Sequence, residues 1–176
     1  MDKPKSPLDF RLMSLKFRLR DFLLPRKEVL KEVAIKPGFA VLDYGCGPGG
    51  YVAPASELVG ESGRIYALDI NPLAIKMVQN LISKKHLTNV ETILSDCKTG
   101  LPNGSIDVVL LYDTFHALSE PAKVLAELHR VLKPGGVLSF NDHHMQDDEI
   151  RTRLTDGGFF SLLERGKRVH NFTRIG

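Results

Sequence analysis

Short runs of apolar residues alternate with longer stretches of helical period along most of this chain. The apolar runs, which predict strands, cover residues 39–42, 64–68, 90–94, 106–111 and 137–140. Between them, residues 72–82 and 121–132 place apolar side chains three and four positions apart, the spacing of a helix with one buried face. Asn71 is a favourable N-cap, Pro72 suits the first helical position, and Pro134 with two glycines ends the second helix. This alternation predicts a parallel sheet covered by helices on both faces.

The end of the chain departs from this alternation. Residues 159–163 and 169–172 are two further apolar-rich segments, and only residues 164–168 separate them. Parallel neighbours need a connection of about a dozen residues or more, so these segments predict an antiparallel hairpin. The predicted fold is therefore a three-layer α/β sandwich, with a seven-stranded, mostly parallel sheet that ends in a C-terminal antiparallel hairpin.

The residues before the first strand form a separate basic segment. Leu12, Leu15, Leu19 and Phe22 stand at helical spacing among arginines and lysines, although apolar and basic residues also alternate as they would in a strand. We expect residues 1–36 to form an N-terminal helical or lid segment and residues 37–176 to form a single domain. Packing over the domain, peripheral contact with a membrane surface and contact with a partner all stay open for this segment.

Composition excludes several classes of protein. A chain of 176 residues with 43% apolar and 26% charged residues is typical of one globular domain, not of a disordered or fibrous protein. The longest apolar run, residues 108–112, is too short to span a membrane, and basic residues interrupt any N-terminal signal peptide. Two cysteines predict neither a disulfide framework nor a zinc cluster, so we expect a reducing, cytoplasmic location.

A glycine-rich turn follows the first predicted strand and precedes a helix. Glycines let the backbone turn sharply and approach a ligand closely, and the N–H groups at the start of the next helix suit a negative group. Gly45, Gly47 and Gly50 match the pattern G-x-G-x-x-G of dinucleotide-binding proteins. The turn by itself therefore does not distinguish a dinucleotide from another nucleoside cofactor.

Three carboxylates follow three successive strands, at the edge where open α/β sheets bind ligands. Asp43 lies two residues before the first glycine, where it would repel a pyrophosphate but would suit an ammonium or sulfonium group. Asp69 is placed to accept from ribose hydroxyls, and Asp96 to accept from an exocyclic amine such as that of adenine. Together these carboxylates indicate a cationic nucleoside without phosphates.

These segments resemble a known family. Residues 41–50 resemble the first motif of class I S-adenosylmethionine-dependent methyltransferases, residues 67–71 their second-strand acidic motif, and residues 105–109 their fourth strand. Residues 129–138 resemble the segment before the fifth strand in the small-molecule, type 11-like branch. The resemblance covers residues 36–142 closely, and it implies a Rossmann-like fold, an enzyme and S-adenosylmethionine as the cofactor.

The resemblance also implies roles for single residues. Asp43 and the backbone of Gly45 and Gly47 would hold the amino and carboxylate groups of the methionine moiety. Asp69 would bind the ribose, and Ile70 would lie against the adenine. The remaining implied contacts are those of Asp96 and Cys97 with the adenine amine and of Tyr112 with the methionine end.

With this cofactor the protein need not generate an electrophile, because a methyl group on a sulfonium is already activated. The protein must align the acceptor and exclude water, and an acceptor that carries a proton also needs a base within about 3 Å. Asp113 and His116 are the nearest candidates and His143 and His144 the next, with a plain helix-start role as the alternative for His116. His143 and His144, with Asp142 and His116, would be the candidates for metal ligands, but adjacent histidines in a loop seldom converge on one ion, so no metal site is predicted.

The predicted acceptor is a small molecule or a lipid-like molecule. Residues 112–115 lack the Asn/Asp-Pro-Pro-Tyr/Phe motif of amino methylation on DNA bases, and no inserted domain is present to select a macromolecule. A nucleic acid is therefore not a predicted partner. Two alternatives stay open: a non-catalytic cofactor-binding module whose basic ends bind a partner, and an NAD-dependent oxidoreductase, against which Asp43 and Asp96 argue.

Overall fold

The structure is a computed structural model that describes residues 26–176. Its helices and strands, in chain order, are α1 (Arg26–Leu30), β1 (Ala40–Tyr44), α2 (Val52–Val59), β2 (Arg64–Asp69), α3 (Pro72–Lys85), β3 (Val90–Leu94), β4 (Ile106–Tyr112), a 3-10 turn (Phe115–Ala117), α4 (Pro121–Val131), β5 (Leu132–Asn141), α5 (Asp147–Thr155), β6 (Phe160–Arg165) and β7 (His170–Arg174). None of the described helices combines the length and the apolar character needed to cross a bilayer.

The seven strands form one sheet in the order β3-β2-β1-β4-β5-β7-β6. β1 pairs in parallel with β2 and β4, and β3 and β5 extend the parallel part on either side. β7 runs antiparallel to both β5 and β6. The predicted mostly parallel sheet with a C-terminal antiparallel hairpin is confirmed. Strand order reverses between β1 and β4, which is the place where open α/β sheets bind ligands.

The centre of the sheet is buried on both faces. Along β4, Val109 and Leu111 belong to one core cluster, whereas Val108 and Leu110 belong to the cluster on the opposite face. All four side chains are almost completely buried. A strand covered on both faces gains from apolar residues at every position, which accounts for the continuous apolar run in this part of the sequence.

The described end of the predicted N-terminal segment is packed on the domain. Leu30 and Val33 are buried in the core, and Lys27 forms an ion pair of 2.5 Å with Glu57 on α2. The backbone oxygen of Glu32 accepts a hydrogen bond of 2.7 Å from the Asn171 side chain on β7. The amphipathic positions of residues 1–25 lie outside the described residues, so the lid and the membrane contact remain predictions for them.

Strand β5 begins earlier than the strand predicted over residues 137–140. It starts at Leu132, directly after α4, and Leu132 pairs with Ile106 while Val137 pairs with Val108. The register shifts between these two pairs, so residues 133–136 bulge out of the ladder. Gly135 has a φ of +73°, which glycine adopts without steric cost, and this explains why a Pro-Gly-Gly segment lies inside a strand.

The sequence pattern did not predict helix α5. This helix is strongly polar, and only Ile150 and Leu154 are buried along it, one helical turn apart. Asp147, Asp148 and Glu149 occupy its first turn, where carboxylates interact favourably with the helix dipole. A single i, i+4 apolar pair is too short a repeat to indicate a helix, although the acidic first turn was an available signal.

Candidate functional site

The glycine turn after β1 lies against two other strand ends. The backbone N–H groups of Gly45 and Cys46 donate to the Leu68 oxygen, at 2.8 and 2.9 Å, which fixes the turn against β2. Gly45 has a φ of +78°, and a Cβ atom there would overlap the Thr114 side chain from the loop after β4. Gly47 has a φ of +51°, but a Cβ atom there would meet no atom of residues 26–176 within 4 Å. The turn is therefore packed on one side and open on the other.

Asp43 places a buried carboxylate next to this turn. The residue is 3% exposed, and its Oδ2 atom has no hydrogen-bond partner among residues 26–176. Burial raises the pKa of this carboxyl to about 7; the Arg26 guanidinium opposes the increase and the Asp69 carboxylate adds to it. An unpartnered buried carboxylate is costly, so a cationic ligand group would be favoured here.

Asp69 connects the end of β2 to the glycine turn. Its Oδ2 atom accepts from the backbone N–H of Gly47 at 2.9 Å, and its Oδ1 atom accepts from that of Asn71 at 2.8 Å. Asn71 in turn caps α3 by accepting from the backbone N–H of Leu73 at 3.0 Å. Asp69 and the following Ile70 are half-buried. These contacts hold the Asp69 carboxylate in place at the end of β2, beside the glycine turn.

Asp96 and Cys97 lie half-buried in the loop after β3, beside the end of β2. The Tyr44 hydroxyl donates to the backbone oxygen of Asp96 at 3.2 Å and so ties this loop to β1. Burial raises the pKa of the Cys97 thiol, which keeps the thiol protonated at neutral pH. The structure thus brings the residues predicted for the nucleoside to adjacent strand ends. It also shows that Tyr44, to which the sequence assigned no role, anchors the loop after β3.

Arg26 and Tyr51 form a contact near Asp43 that the sequence did not reveal. Arg26 Nη1 donates to the Tyr51 hydroxyl at 2.6 Å, and the guanidinium lies 4.4 Å from the centre of the Tyr51 ring. The Tyr51 ring lies 4.8 Å from that of Tyr112, whose hydroxyl is hydrogen-bonded to Ser139 at 2.8 Å. Tyr112 is therefore a buried member of this aromatic pair. No motif links positions so far apart in the chain, so only the fold reveals this contact.

Two aspartates and three histidines meet after the carboxyl ends of β4 and β5. We call these residues the aspartate–histidine cluster: Asp113, His116, Asp142, His143 and His144. His143 Nδ1 lies 2.6 Å from Asp113 Oδ1, and His116 Nδ1 lies 2.9 and 2.8 Å from the two oxygens of Asp142. The ring of His144 lies 4.1 Å from that of His116 and 4.0 Å from that of His143. The predicted catalytic residues Asp113 and His116 thus belong to the same cluster.

Asp142 organises this cluster, although the sequence suggested it only as one member of a rejected metal site. Its side chain is fully buried and accepts from the backbone N–H groups of His116 and His144, at 3.0 and 3.1 Å. Asp142 directly follows β5, just as Asp113 directly follows β4. The position of a polar residue immediately after a buried strand was therefore the signal that could have identified both.

The chain matches the family model described as a methyltransferase domain over residues 35–168. The demethylmenaquinone methyltransferase of Geobacillus stearothermophilus is 30% identical over 113 residues, which are 64% of this chain and 48% of that protein. The ubiquinone/menaquinone biosynthesis C-methyltransferase of Pseudoalteromonas translucida is 28% identical over 149 residues, 83% of this chain and 59% of that protein. The chain spans about half the length of the curated relatives it matches.

A solved structure matches nearly the whole chain. The crystal structure of a SAM dependent methyltransferase from Aquifex aeolicus superimposes with a TM-score of 0.82 at 32% sequence identity. The match covers 98% of this chain and 100% of that one. The fold described above is therefore shared with that methyltransferase.

Proposed function

The chain belongs to the family of methyltransferase domains, as its motifs predicted, and we propose that it transfers the methyl group of S-adenosylmethionine to a small-molecule or lipid-like acceptor. The single observation that carries the proposal is Asp43, a buried carboxylate whose Oδ2 atom has no hydrogen-bond partner in residues 26–176, beside a glycine turn that no described atom covers at Gly47. A cationic amino-acid moiety would satisfy this carboxylate, whereas a pyrophosphate would be repelled. The family does not favour the NAD-dependent alternative.

We assign the cofactor contacts to the strand ends around that turn. Asp43 and the backbone at Gly45 and Gly47 would hold the methionine amino and carboxylate groups. Asp69, whose carboxylate is held by the backbone N–H groups of Gly47 and Asn71, would accept from the ribose hydroxyls. The other assignments are Ile70, Asp96 and Cys97 for the adenine and Tyr112 for the methionine end.

The cofactor supplies a methyl group that its sulfonium has already activated. The residues of this chain would bind the cofactor, orient it and keep water away from the reacting atoms. The rings of Tyr51 and Tyr112 lie 4.8 Å apart, tilted by 58°, near Asp43, and both side chains are buried. These apolar rings support the exclusion of water.

We place the acceptor at the aspartate–histidine cluster. The loop that carries Asp113 and Thr114 packs directly on Gly45, so the cluster borders the glycine turn. The catalytic role predicted for Asp113 and His116 is assigned to this cluster, which would hold the polar group of the acceptor. The names of the relatives, which act on demethylmenaquinone or in ubiquinone and menaquinone biosynthesis, support a quinone-like acceptor as the first to be assayed.

The cofactor assignment is tested by thermal unfolding with S-adenosylhomocysteine, S-adenosylmethionine and NAD side by side. A ligand at 100 times its dissociation constant stabilises by about 2.7 kcal/mol, which corresponds to a shift of roughly 5–10 °C in a domain of this size. We expect this shift with both adenosyl sulfur compounds and none with NAD. Asp69→Ala should abolish most of the shift, whereas Glu61→Gln, a change at an exposed residue, should preserve it. A shift with NAD alone would overturn the proposal.

A further inference from the structure

Two carboxylates and one imidazole converge on one point of the aspartate–histidine cluster. Asp113, Asp142 and His143 each offer a ligand atom, and these three atoms lie within 4.8 Å of one another. The Asp142 side chain is fully buried and that of Asp113 is 12% exposed, whereas that of His143 is 56% exposed. The group is therefore closed on the side of the two strands and open to solvent on the side of the histidine.

The two carboxylates are held in place by other groups. Asp113 adopts a φ of +50°, which is uncommon for a residue with a side chain, and its backbone N–H donates to the Asn141 oxygen at 2.7 Å. Asp142 is fixed by two backbone N–H groups and by the His116 ring. Carboxylates that bind a metal ion are typically held by hydrogen bonds from groups outside the ligand set, and such partners raise the affinity for the ion.

The charges of this group also need an explanation. Two carboxylates held within 4.8 Å of one another, one of them fully buried, repel each other when both are ionised. A divalent cation between them would offset that repulsion more completely than hydrogen bonds do. The sequence predicted no metal site because His143 and His144 are adjacent, but the converging ligands come from two different strand ends and include only one of those histidines.

From these observations we propose that Asp113, Asp142 and His143 bind a first-row divalent cation. One imidazole and two carboxylates suit Zn²⁺, Mn²⁺ or Co²⁺ better than Mg²⁺ or Ca²⁺, which prefer oxygen ligands alone. Three protein ligands leave at least one coordination position open. His116 is a positioning residue in this site, since it contacts Asp142 rather than the ion.

The location of the ion gives it a role that rests on the proposed function. Thr114, the neighbour of Asp113, lies against Gly45 in the glycine turn, so the cation would sit next to the cofactor. The open coordination position would bind an oxygen of the acceptor and hold it there. An acceptor with a phenolic, enolic or carbonyl oxygen fits this site, and a purely hydrocarbon acceptor does not.

The test is cation binding by the full chain without an affinity tag, after treatment with a chelator. Isothermal titration with Zn²⁺ and Mn²⁺ should show one ion per chain, with Mg²⁺ binding much more weakly, and Co²⁺ should give a visible absorption band. His143→Gln and Asp113→Asn should each weaken Zn²⁺ binding by about tenfold or more, and His143→Gln should also change the Co²⁺ spectrum. His86→Gln and Asp148→Asn, changes at exposed residues outside the cluster, are the matched controls and should bind as the unaltered protein does.

Two results would overturn the site: no stoichiometric cation uptake, or uptake that His143→Gln and Asp113→Asn leave unchanged. His143 is exposed and its variant should fold, which the unfolding midpoint checks. S-adenosylhomocysteine binding is measured in the same chelator-treated samples. Retained S-adenosylhomocysteine binding without cation uptake overturns the metal site alone, whereas loss of S-adenosylhomocysteine binding from the unaltered protein counts against the proposed function.

Discussion

The buried carboxylate of Asp43 should make cofactor affinity depend on pH near neutrality. Burial raises its pKa to about 7, so the group is mostly protonated in weakly acidic solution. The α-ammonium of the cofactor would pair with the ionised carboxylate and would therefore favour the form that burial disfavours. We expect binding to be coupled to loss of the Asp43 proton.

The size of the effect follows from the ionised fraction of Asp43. With a pKa of about 7, about 3% of the carboxyl is ionised at pH 5.5 and about 75% at pH 7.5, a ratio of about 25. The affinity for S-adenosylhomocysteine should therefore rise about 25-fold over this range and level off above pH 7. In Asp43→Asn the charged hydrogen bond is lost, which weakens binding by about one to two orders of magnitude and removes the pH dependence.

Isothermal titration of S-adenosylhomocysteine at half-unit intervals from pH 5.5 to 7.5 measures both effects. Titration in buffers of different ionisation enthalpy reports the proton released on binding below pH 7. Asp156→Asn, at an exposed position after α5, is the control and should follow the curve of the unaltered protein. The reasoning fails if affinity is flat with pH, or if Asp43→Asn shows the same slope as the unaltered chain.

Two further predictions concern stability. Burial raises the pKa of Asp43 from 3.8 in the unfolded chain to about 7 in the folded protein, so the stability of the unaltered protein is highest below pH 3.8 and falls as pH rises through 7. Asp43→Asn stays neutral and avoids this loss. In urea unfolding it should match the unaltered protein near pH 4 and be more stable by up to about 4 kcal/mol above pH 7. Gly45→Ala should lower the free energy of unfolding by about 2–4 kcal/mol, because it adds overlap with Thr114 to the strain of a positive φ. Gly104→Ala, at a φ of +57° with no described atom within 4 Å of the added Cβ, should lose only about 1 kcal/mol, and equal losses would refute the packing argument.

Most of the fold follows from hydrophobic period, because strands buried on both faces and helices with one buried face leave strong patterns. The exceptions are elements whose stability comes from elsewhere. Helix α5 buries only Ile150 and Leu154, so its sequence carries almost no period. The early start of β5 depends on pairing between Leu132 and Ile106, a long-range contact that no local pattern contains.

Some residues of the candidate site could likewise be predicted from the sequence, and others could not. Asp43, Asp69 and Asp96 could be predicted because each lies at the carboxyl end of a strand or just after it, and parallel strands end at one edge of the sheet. The contacts of Arg26 with Tyr51 and of Asp142 with His116 could not, since each joins residues from distant parts of the chain. The aspartate–histidine cluster joins residues after β4 to residues after β5, so neither half indicates the whole.

The central claim, methyl transfer from S-adenosylmethionine, is tested most directly by transfer of a labelled methyl group. The full chain is incubated with methyl-labelled S-adenosylmethionine and either reduced quinones or a deproteinised cell extract of metabolites and lipids. We predict one molecule of S-adenosylhomocysteine for each labelled small-molecule product, and loss of both in Asp69→Ala. Tight S-adenosylhomocysteine binding without any labelled product would contradict the claim and would favour the non-catalytic cofactor-binding module.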